Sequence, residues 1–355
     1  MVNPIYIVAA ALGVAFLLPL FDRLGKTVVN VIFLSTTLFL TFVSAQWLVA
    51  FTSHNIQAVQ IFTAGVKPPL SINLQMGLQE ALFLTGINLL ALVSALYLIR
   101  TLNGIGIRSQ VLFLLFTLGM NGLVMTRDIF NLFVFMEITS IAGYALIGMD
   151  LRLNALSAGF KYMIAGSIAS IFLLLGIIFL YSVSGTLNID GMLHSAVLKT
   201  GAPLIGVALF MLLFSFFIEM KQFPANGWAL DVYQGAHPGI AAMISAGSSG
   251  AIFFALSKIL PLGGTTWFLI AAGAGMTTFV VSNLMGLKQQ HTTRMLGYSS
   301  VGQMGLLLAT LGLGFYLENS GLNQFRFIIA ALFFNHFFAK AGLYWLAGVV
   351  GRDSI

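Results

Sequence analysis

Of the 355 residues none is cysteine, only 7% are charged and only 8 are proline. Without cysteine there is no disulfide, no thiolate metal site and no cysteine nucleophile. With so little charge no soluble domain of this size could cover itself, because its surface would be one continuous apolar patch. Acidic side chains number 10 against 16 basic ones, a net charge of +6. The cations are scattered between apolar runs rather than clustered, so they point to no nucleic acid and report instead on membrane orientation. No P-loop, no GxGxxG after a strand, no HExxH and no Cys/His metal spacing is found. The histidines (His54, His194, His237, His291 and His336) stand far apart in sequence. The expectation is a chain with no catalytic residues, redox centre, metal or cofactor of its own.

What is abundant is apolar sequence, 59% of the chain with a mean hydropathy of +0.99. The runs are long and unbroken, whereas a membrane barrel would show ~10-residue alternating strands. The expected fold class is all-α, a polytopic helical protein of the lipid bilayer. Eleven spans are read, each near the ~20 residues that a bilayer core demands. They are Pro4–Leu20, Val28–Phe51, Leu78–Ile99, Ser109–Met125, Ile129–Met149, Ser157–Ser182, Ala202–Phe223, Gly239–Leu260, Trp267–Met285, Met295–Phe315 and Phe325–Val350. Thr52–Gly77, polar and containing Lys67-Pro68-Pro69, reads as an external hairpin or loop. The seventh span should stop at Pro224, whose missing N–H and ring clash break a helix. Broken helices at membrane depth usually line a cavity.

Orientation follows from the cations. No positive charge precedes the first run and Arg23 and Lys26 follow it, which reads as a retained first helix with its N-terminus outside rather than as a signal peptide. That placement puts Arg23, Lys26, Arg100, Arg108, Arg152, Lys161, Lys221, Lys288, Arg294 and Arg352 in or near inner loops. The outer side receives Lys67, Arg127, Lys199, Lys258 and Arg326.

Ionisable residues at membrane depth need an account, because each is costly there and most serve a function. Glu137 falls near the middle of the fifth run and reads either as a proton-handling carboxylate or as a neutral acid bonded to a neighbouring helix. Lys161 lies about one turn into the sixth span, where a lysine can snorkel to the interface. Glu219 and Lys221 are two apart, point to different sides of a helix and do not pair directly. They either flank a hydrated break or cap the helix at the interface. His336 and Lys340, at i and i+4, share one face. Histidine titrates near neutral pH, so the two read as a proton-exchanging pair. Lys258 reads as a snorkelling anchor.

Several stretches together resemble one family. They are Ile129–Gly148, Phe160-Lys161-Tyr162, Ser184-Gly185-Thr186-Leu187-Asn188, Phe223-Pro224 through Trp228, Asp231-Val232-Tyr233-Gln234-Gly235, Pro238, Arg294 through Gly305, and His336-Phe337-Phe338-Ala339-Lys340. In this order they are similar to the antiporter-like subunits shared by complex I (proton-pumping NADH:quinone oxidoreductase), membrane-bound hydrogenases and Mrp-type cation/proton antiporters. The resemblance implies two inverted five-helix repeats with broken helices at their centres. Residues 1–108 would form helices 1–3 with the external loop 52–77, residues 109–262 the first repeat (helices 4–8) and residues 263–355 part of the second (helices 9–11). It also implies a proton path through Glu137, Lys161, Glu219, Lys221, His336 and Lys340.

Two departures stand out. The family's seventh-helix lysine usually stands five residues before the proline, where this chain has Glu219, with Lys221 two residues on. The eighth-helix polar position, commonly lysine or histidine, falls near Ser248–Ser249. The sequence also ends after the eleventh span where family members run to about fourteen, so the second repeat would lack its last two helices. The function implied is proton translocation, or Na+/H+ antiport, within a respiratory-type multisubunit complex of the complex I-like, hydrogenase-like or Mrp-type kind. The alternative is a non-conducting scaffold subunit of such a complex. The expected location is a bacterial or archaeal cell membrane, or an organellar inner membrane.

Overall fold

The computed structural model describes residues 1–355 except 55, 67, 69, 70, 201, 202, 319–324, 354 and 355, and except the side chains of Lys199, Thr200, Glu318, Arg326, Arg352 and Asp353. The side chains of Lys67, Lys199, Arg326 and Arg352, four of the cations that bear on orientation, therefore lie outside the described residues.

Helices dominate, as the long apolar runs require. In chain order they are α1 (Ile5–Leu17), continued by a tighter turn to Leu24, α2 (Lys26–His54), α3 (Leu78–Ile105), α4 (Ile107–Met125), α5 (Ile129–Gly148), α6 (Leu153–Ser184) and the short α7 (Ile189–His194). Then follow α8 (Pro203–Glu219), α9 (Gly227–Gly235), α10 (Pro238–Ala242), a π-helical turn Met243–Ser248, α11 (Ser249–Ile259), α12 (Gly264–Gly286), α13 (Thr292–Glu318) and α14 (Phe325–Asp353). The stretch read as a hairpin or loop forms strands β1 (Val59–Phe62) and β2 (Asn73–Met76), paired antiparallel from Val59↔Met76 to Phe62↔Asn73.

Among the described residues nine segments are long and apolar enough to cross a membrane, against the eleven read from the sequence. The difference has two sources. Pro203–Glu219 is shorter than a full span, and Pro238–Gly286 runs on for 49 residues. A straight helix of that length would extend ~70 Å, more than twice a bilayer core. The chain turns instead within Leu260–Gly263, which carries Pro261, and at Gly264 with φ +61°, a conformation that favours glycine.

Local signals set the ends of the helices around the centre. Asp128 begins α5 by accepting a hydrogen bond from the Asn131 N–H at 2.8 Å. Gly185, in left-handed geometry, ends α6. Backbone bonds from Arg127 N to Asn73 O, Ile129 N to Leu187 O and Ile189 N to Arg127 O gather β2, the α4–α5 corner and the segment after α6 at one end of the bundle. The 20 residues of α5 cover ~30 Å, so the start of α6 lies at the opposite end. Small residues let helices approach closely, as membrane packing favours. A Cβ on Gly275 would come within 2.5 Å of Gly305 O and Ala309 N, and one on Gly312 within 2.4 Å of Phe268 O, which locks α12 against α13.

The expected break at Pro224 begins earlier than the proline predicts. α8 ends at Glu219, and Lys221 adopts φ +61°, which no helix can continue. Carbonyls of the last turn are taken up by the N–H groups of Met220, Lys221 and Gln222. The proline thus follows a helix that has already ended.

Candidate functional site

Five of the six residues of the implied proton path lie in one line of polar groups through the bundle. Glu137, half-buried on α5, accepts from Ser170 Oγ of α6. One turn further on α5, Ser140 Oγ donates to Glu219 Oε1 at 3.4 Å. Glu219, at the end of α8, is 1% exposed, and its Oε2 has no hydrogen-bond partner among the described residues. The charges of Lys221 and Glu137 both act on it.

Lys221 stands on the far side of the break. Its Nζ donates to Ser249 Oγ at 2.5 Å and sits 5.8 Å from the ring centre of Trp228 and 5.7 Å from that of Tyr233. Such aromatic faces stabilise a desolvated cation. The left-handed turn at Lys221 aims its side chain at α11, while Glu219 stays with α5. The two side chains therefore take different partners, Ser140 for Glu219 and Ser249 for Lys221. Lys221 is also 1% exposed, so its side chain lies inside the bundle.

From Ser249 the line crosses to the second half of the chain. Ser249 Oγ donates to Ile244 O at 3.0 Å within the π-helical turn. That wider turn also carries Ser245, whose hydroxyl shares a 2.7 Å bond with Ser300 of α13 and whose carbonyl lies 3.2 Å from His336 Nε2. The other ring nitrogen, Nδ1, is 3.0 Å from Gln303 Oε1. One turn on, Lys340 Nζ donates to Ser299 Oγ at 2.7 Å. His336 and Lys340 are both buried on α14, and each bonds to α13 rather than to the other. The charges of Lys340 and Lys221 both act on His336.

Lys161 lies apart from this line. Its Nζ pairs with Asp231 Oδ2 of α9 at 2.5 Å, and Arg294 Nη1 of α13 holds the other Asp231 oxygen at 2.8 Å. Arg294 also donates to Gln234. Burial raises the Asp231 pKa, but the two cations outweigh that and hold it below the ordinary carboxylate value. The cluster borders a cleft of about 190 Å³. A lysine with 52% of its side chain exposed would be a plain snorkelling residue if it were not for this carboxylate 70 positions away.

Lys258 corrects the sequence reading most clearly. It is no snorkelling anchor, being 7% exposed. Its Nζ donates to Leu123 O, Val124 O and Thr126 O at 2.9, 2.8 and 2.8 Å. Those are carbonyls at the end of α4 that no further turn of helix can satisfy, and a cation there also suits the helix dipole. Asp231 and the serines at positions 140, 170, 245, 249, 299 and 300 were not singled out as site residues. Their polarity was visible, but only tertiary contact shows which of them meet a charge. Among the described residues no group of His, Asp and Glu is arranged to hold a metal ion.

Known proteins share this architecture. Residues 126–354 match the family described as NADH:quinone oxidoreductase/Mrp antiporter, TM. The chain is 37% identical over 192 residues to NADH-quinone oxidoreductase subunit N of Rubrobacter xylanophilus, covering 53% of this chain and 40% of that protein. It is 30% identical over 306 residues to subunit N of Desulforudis audaxviator, covering 82% and 59%. It is 28% identical over 303 residues to a subunit of the Na(+)/H(+) antiporter of Alkalihalophilus pseudofirmus, covering 81% and 38%. The chain thus spans about half the length of the curated relatives it matches. Among solved structures, a chain of the membrane-bound sulfane sulfur reductase, an archaeal respiratory membrane complex, superimposes with a TM-score of 0.91 at 32% identity, covering 98% of this chain and 71% of that one. A chain of the Mrp complex from Dietzia sp. has the same fold, with a TM-score of 0.85 at 23% identity, covering 99% and 65%. This integral, multi-pass membrane chain belongs to the NADH:quinone oxidoreductase/Mrp antiporter transmembrane family.

Proposed function

We propose that the chain translocates protons, or exchanges Na+ for protons, as an antiporter-like membrane subunit working beside other membrane subunits of a complex I-like, hydrogenase-like or Mrp-type assembly. The observation that carries this reading is the buried line from Glu137 through Glu219, Lys221 and His336 to Lys340. Five ionisable side chains at membrane depth would be expensive to keep without a task, and serine hydroxyls, which both donate and accept, stand between them.

In the mechanism, each group passes its charge state to the next. Protonation of Glu137 removes one of the charges acting on Glu219, which alters the balance between Glu219 and Lys221 across the break. The Lys221 ammonium at Ser249 Oγ is the cation that acts on His336 across the π-helical turn. His336 then exchanges with the Lys340 side of α13 and α14. The Lys161–Asp231–Arg294 cluster supports a proton entry at the end where α6 begins. We also propose the repeat boundaries at residues 109–262 and 263–355, with the break after Glu219 at the centre of the first.

The test is proton flux by the assembled complex in sealed vesicles. Glu137→Gln should assemble normally and lose flux, because the amide cannot take up the proton. Near-normal flux in a fully assembled Glu137→Gln complex would overturn the relay and leave the scaffold reading.

A further inference from the structure

At the end of the bundle opposite the Lys161 cluster lies a second cavity, of about 630 Å³. At ~30 Å³ per molecule this is room for about 20 waters. Glu80 of α3 and Lys258 of α11 line it, together with Arg127. These charges are fixed in the wall rather than free to swing. Glu80 accepts from Gly77 N and from Gln75 Nε2, Lys258 holds the three carbonyls of α4, and Arg127 is paired with Asp190. These charges, with Gln75, Gln79 and Ser257, make one part of the wall polar and able to hold water and small hydrated ions, while the rest of the wall is apolar.

The inner wall is aromatic. Phe83, Phe253 and Phe254 line the cavity, and Phe333 of α14 stacks behind them, 4.2 Å between ring centres from Phe83 and 6.1 Å from Phe253. Phe333 is 1% exposed and stands three residues before His336. Gly250 makes room for it, since a Cβ there would come within 2.9 Å of the ring. One aromatic layer therefore separates a charged cavity from the helix turn that carries His336. Apolar constrictions of this kind exclude water, and with it ions, until they are displaced.

We propose that this cavity is an aqueous port for protons or small cations on that face of the membrane, and that the Phe83–Phe253–Phe333 stack is the plug closing it off from His336. The inference rests on the translocation reading and gives it a gate. Residues 1–355 hold no cysteine, so label found by mass spectrometry on a peptide from this stretch comes from the introduced thiol. In the assembled complex in vesicles, Ser257→Cys, on the cavity wall, should react with a membrane-impermeant thiol reagent from one side only. Ser245→Cys, beyond the plug, should resist the same reagent until Phe333→Ala is added, and the combined variant should also show a several-fold rise in passive proton leak. Phe83→Ala serves equally if Phe333→Ala fails to assemble. Labelling of Ser245→Cys as fast as Ser257→Cys with the plug intact would overturn the proposal. So would an assembled plug variant with unchanged labelling and unchanged leak. Normal pumping by Glu137→Gln would refute the relay through this chain and leave this labelling pattern as it is, so the two failures are distinguishable.

Discussion

Lys340→Arg separates a residue that must lose its proton from one that only has to be positive. Lys340 is 2% exposed and donates to Ser299 Oγ at 2.7 Å. An arginine keeps the charge and a donor for that hydroxyl. It does not keep the ability to deprotonate, because a guanidinium stays charged in proteins. At reference values and pH 7.5, releasing a proton costs about 7–9 kcal/mol for a guanidinium and about 4 kcal/mol for an ammonium. The difference of roughly 3–5 kcal/mol corresponds to at least a hundredfold in rate if release lies on the path. The assay is the initial rate of proton uptake by vesicles holding the assembled complex, comparing wild type, Lys340→Arg and Lys340→Gln. Both variants should fall to the leak rate. An arginine variant within twofold of wild type, beside an inactive glutamine variant, would show that Lys340 acts as a fixed charge, and the relay would have to be redrawn without it.

Glu219→Gln and Lys221→Met should be non-additive in flux, with a coupling of about 0.5–3 kcal/mol in a double-mutant cycle; simple additivity would show that no shared site spans the break. Lys258→Met leaves three carbonyls of α4 unsatisfied and should lower the midpoint of thermal dissociation of the solubilised complex by the equivalent of a few kcal/mol, at about 1–3 kcal/mol per orphaned group less the relief of a buried charge; an unchanged midpoint would restore the anchor reading. Asp231 has a folded pKa below its ordinary value because of Lys161 and Arg294, so its stabilising effect is complete above about pH 5 and fades as pH falls through about 4 and below. The stability difference between wild type and Asp231→Asn should therefore be flat from pH 8 to 5 and shrink only at lower pH, and a difference that shrinks near pH 7 would contradict that assignment.

Much of this was legible in the sequence because the bilayer is a severe solvent. A run such as Ile129–Gly148 has few alternatives to a helix, and a carboxylate inside it stands out on composition alone. Glu137, His336 and Lys340 were singled out that way. Partners were not legible. Lys161 and Lys258 have the same local signature, a lysine near the end of an apolar run. One meets Asp231 and the other the carbonyls of α4, and those contacts join positions 70 to 135 residues apart. The end of α8 was misplaced for a related reason. Pro224 is a strong breaker, but the left-handed turn at Lys221 is set by tertiary contact with Ser249, Trp228 and Tyr233, which local propensity does not encode.

That turn also bears on the departure noted in the sequence, a glutamate where a lysine five residues before the proline was expected. On a continuous helix Glu219 and Lys221 would point roughly 200° apart from the same two turns, and only one could reach the centre. The break gives each its own direction. The carboxylate remains with Ser140 and Glu137 on the α5 side, and the ammonium is carried across to Ser249 and into the range of His336. The serine at the eighth-helix position then follows naturally. It needs no charge of its own, because Lys221 already brings one to within 2.5 Å of its hydroxyl. We propose that the glutamate and the serine go together, with the cation supplied from the break instead of from the helix interior. Restoring lysine at position 219 alone would set a second ammonium beside Lys221 and remove the acceptor that faces Ser140, so that substitution should cost more flux than Glu219→Gln. Greater flux in Glu219→Lys than in Glu219→Gln, in complexes assembled to the same level, would separate the two changes again.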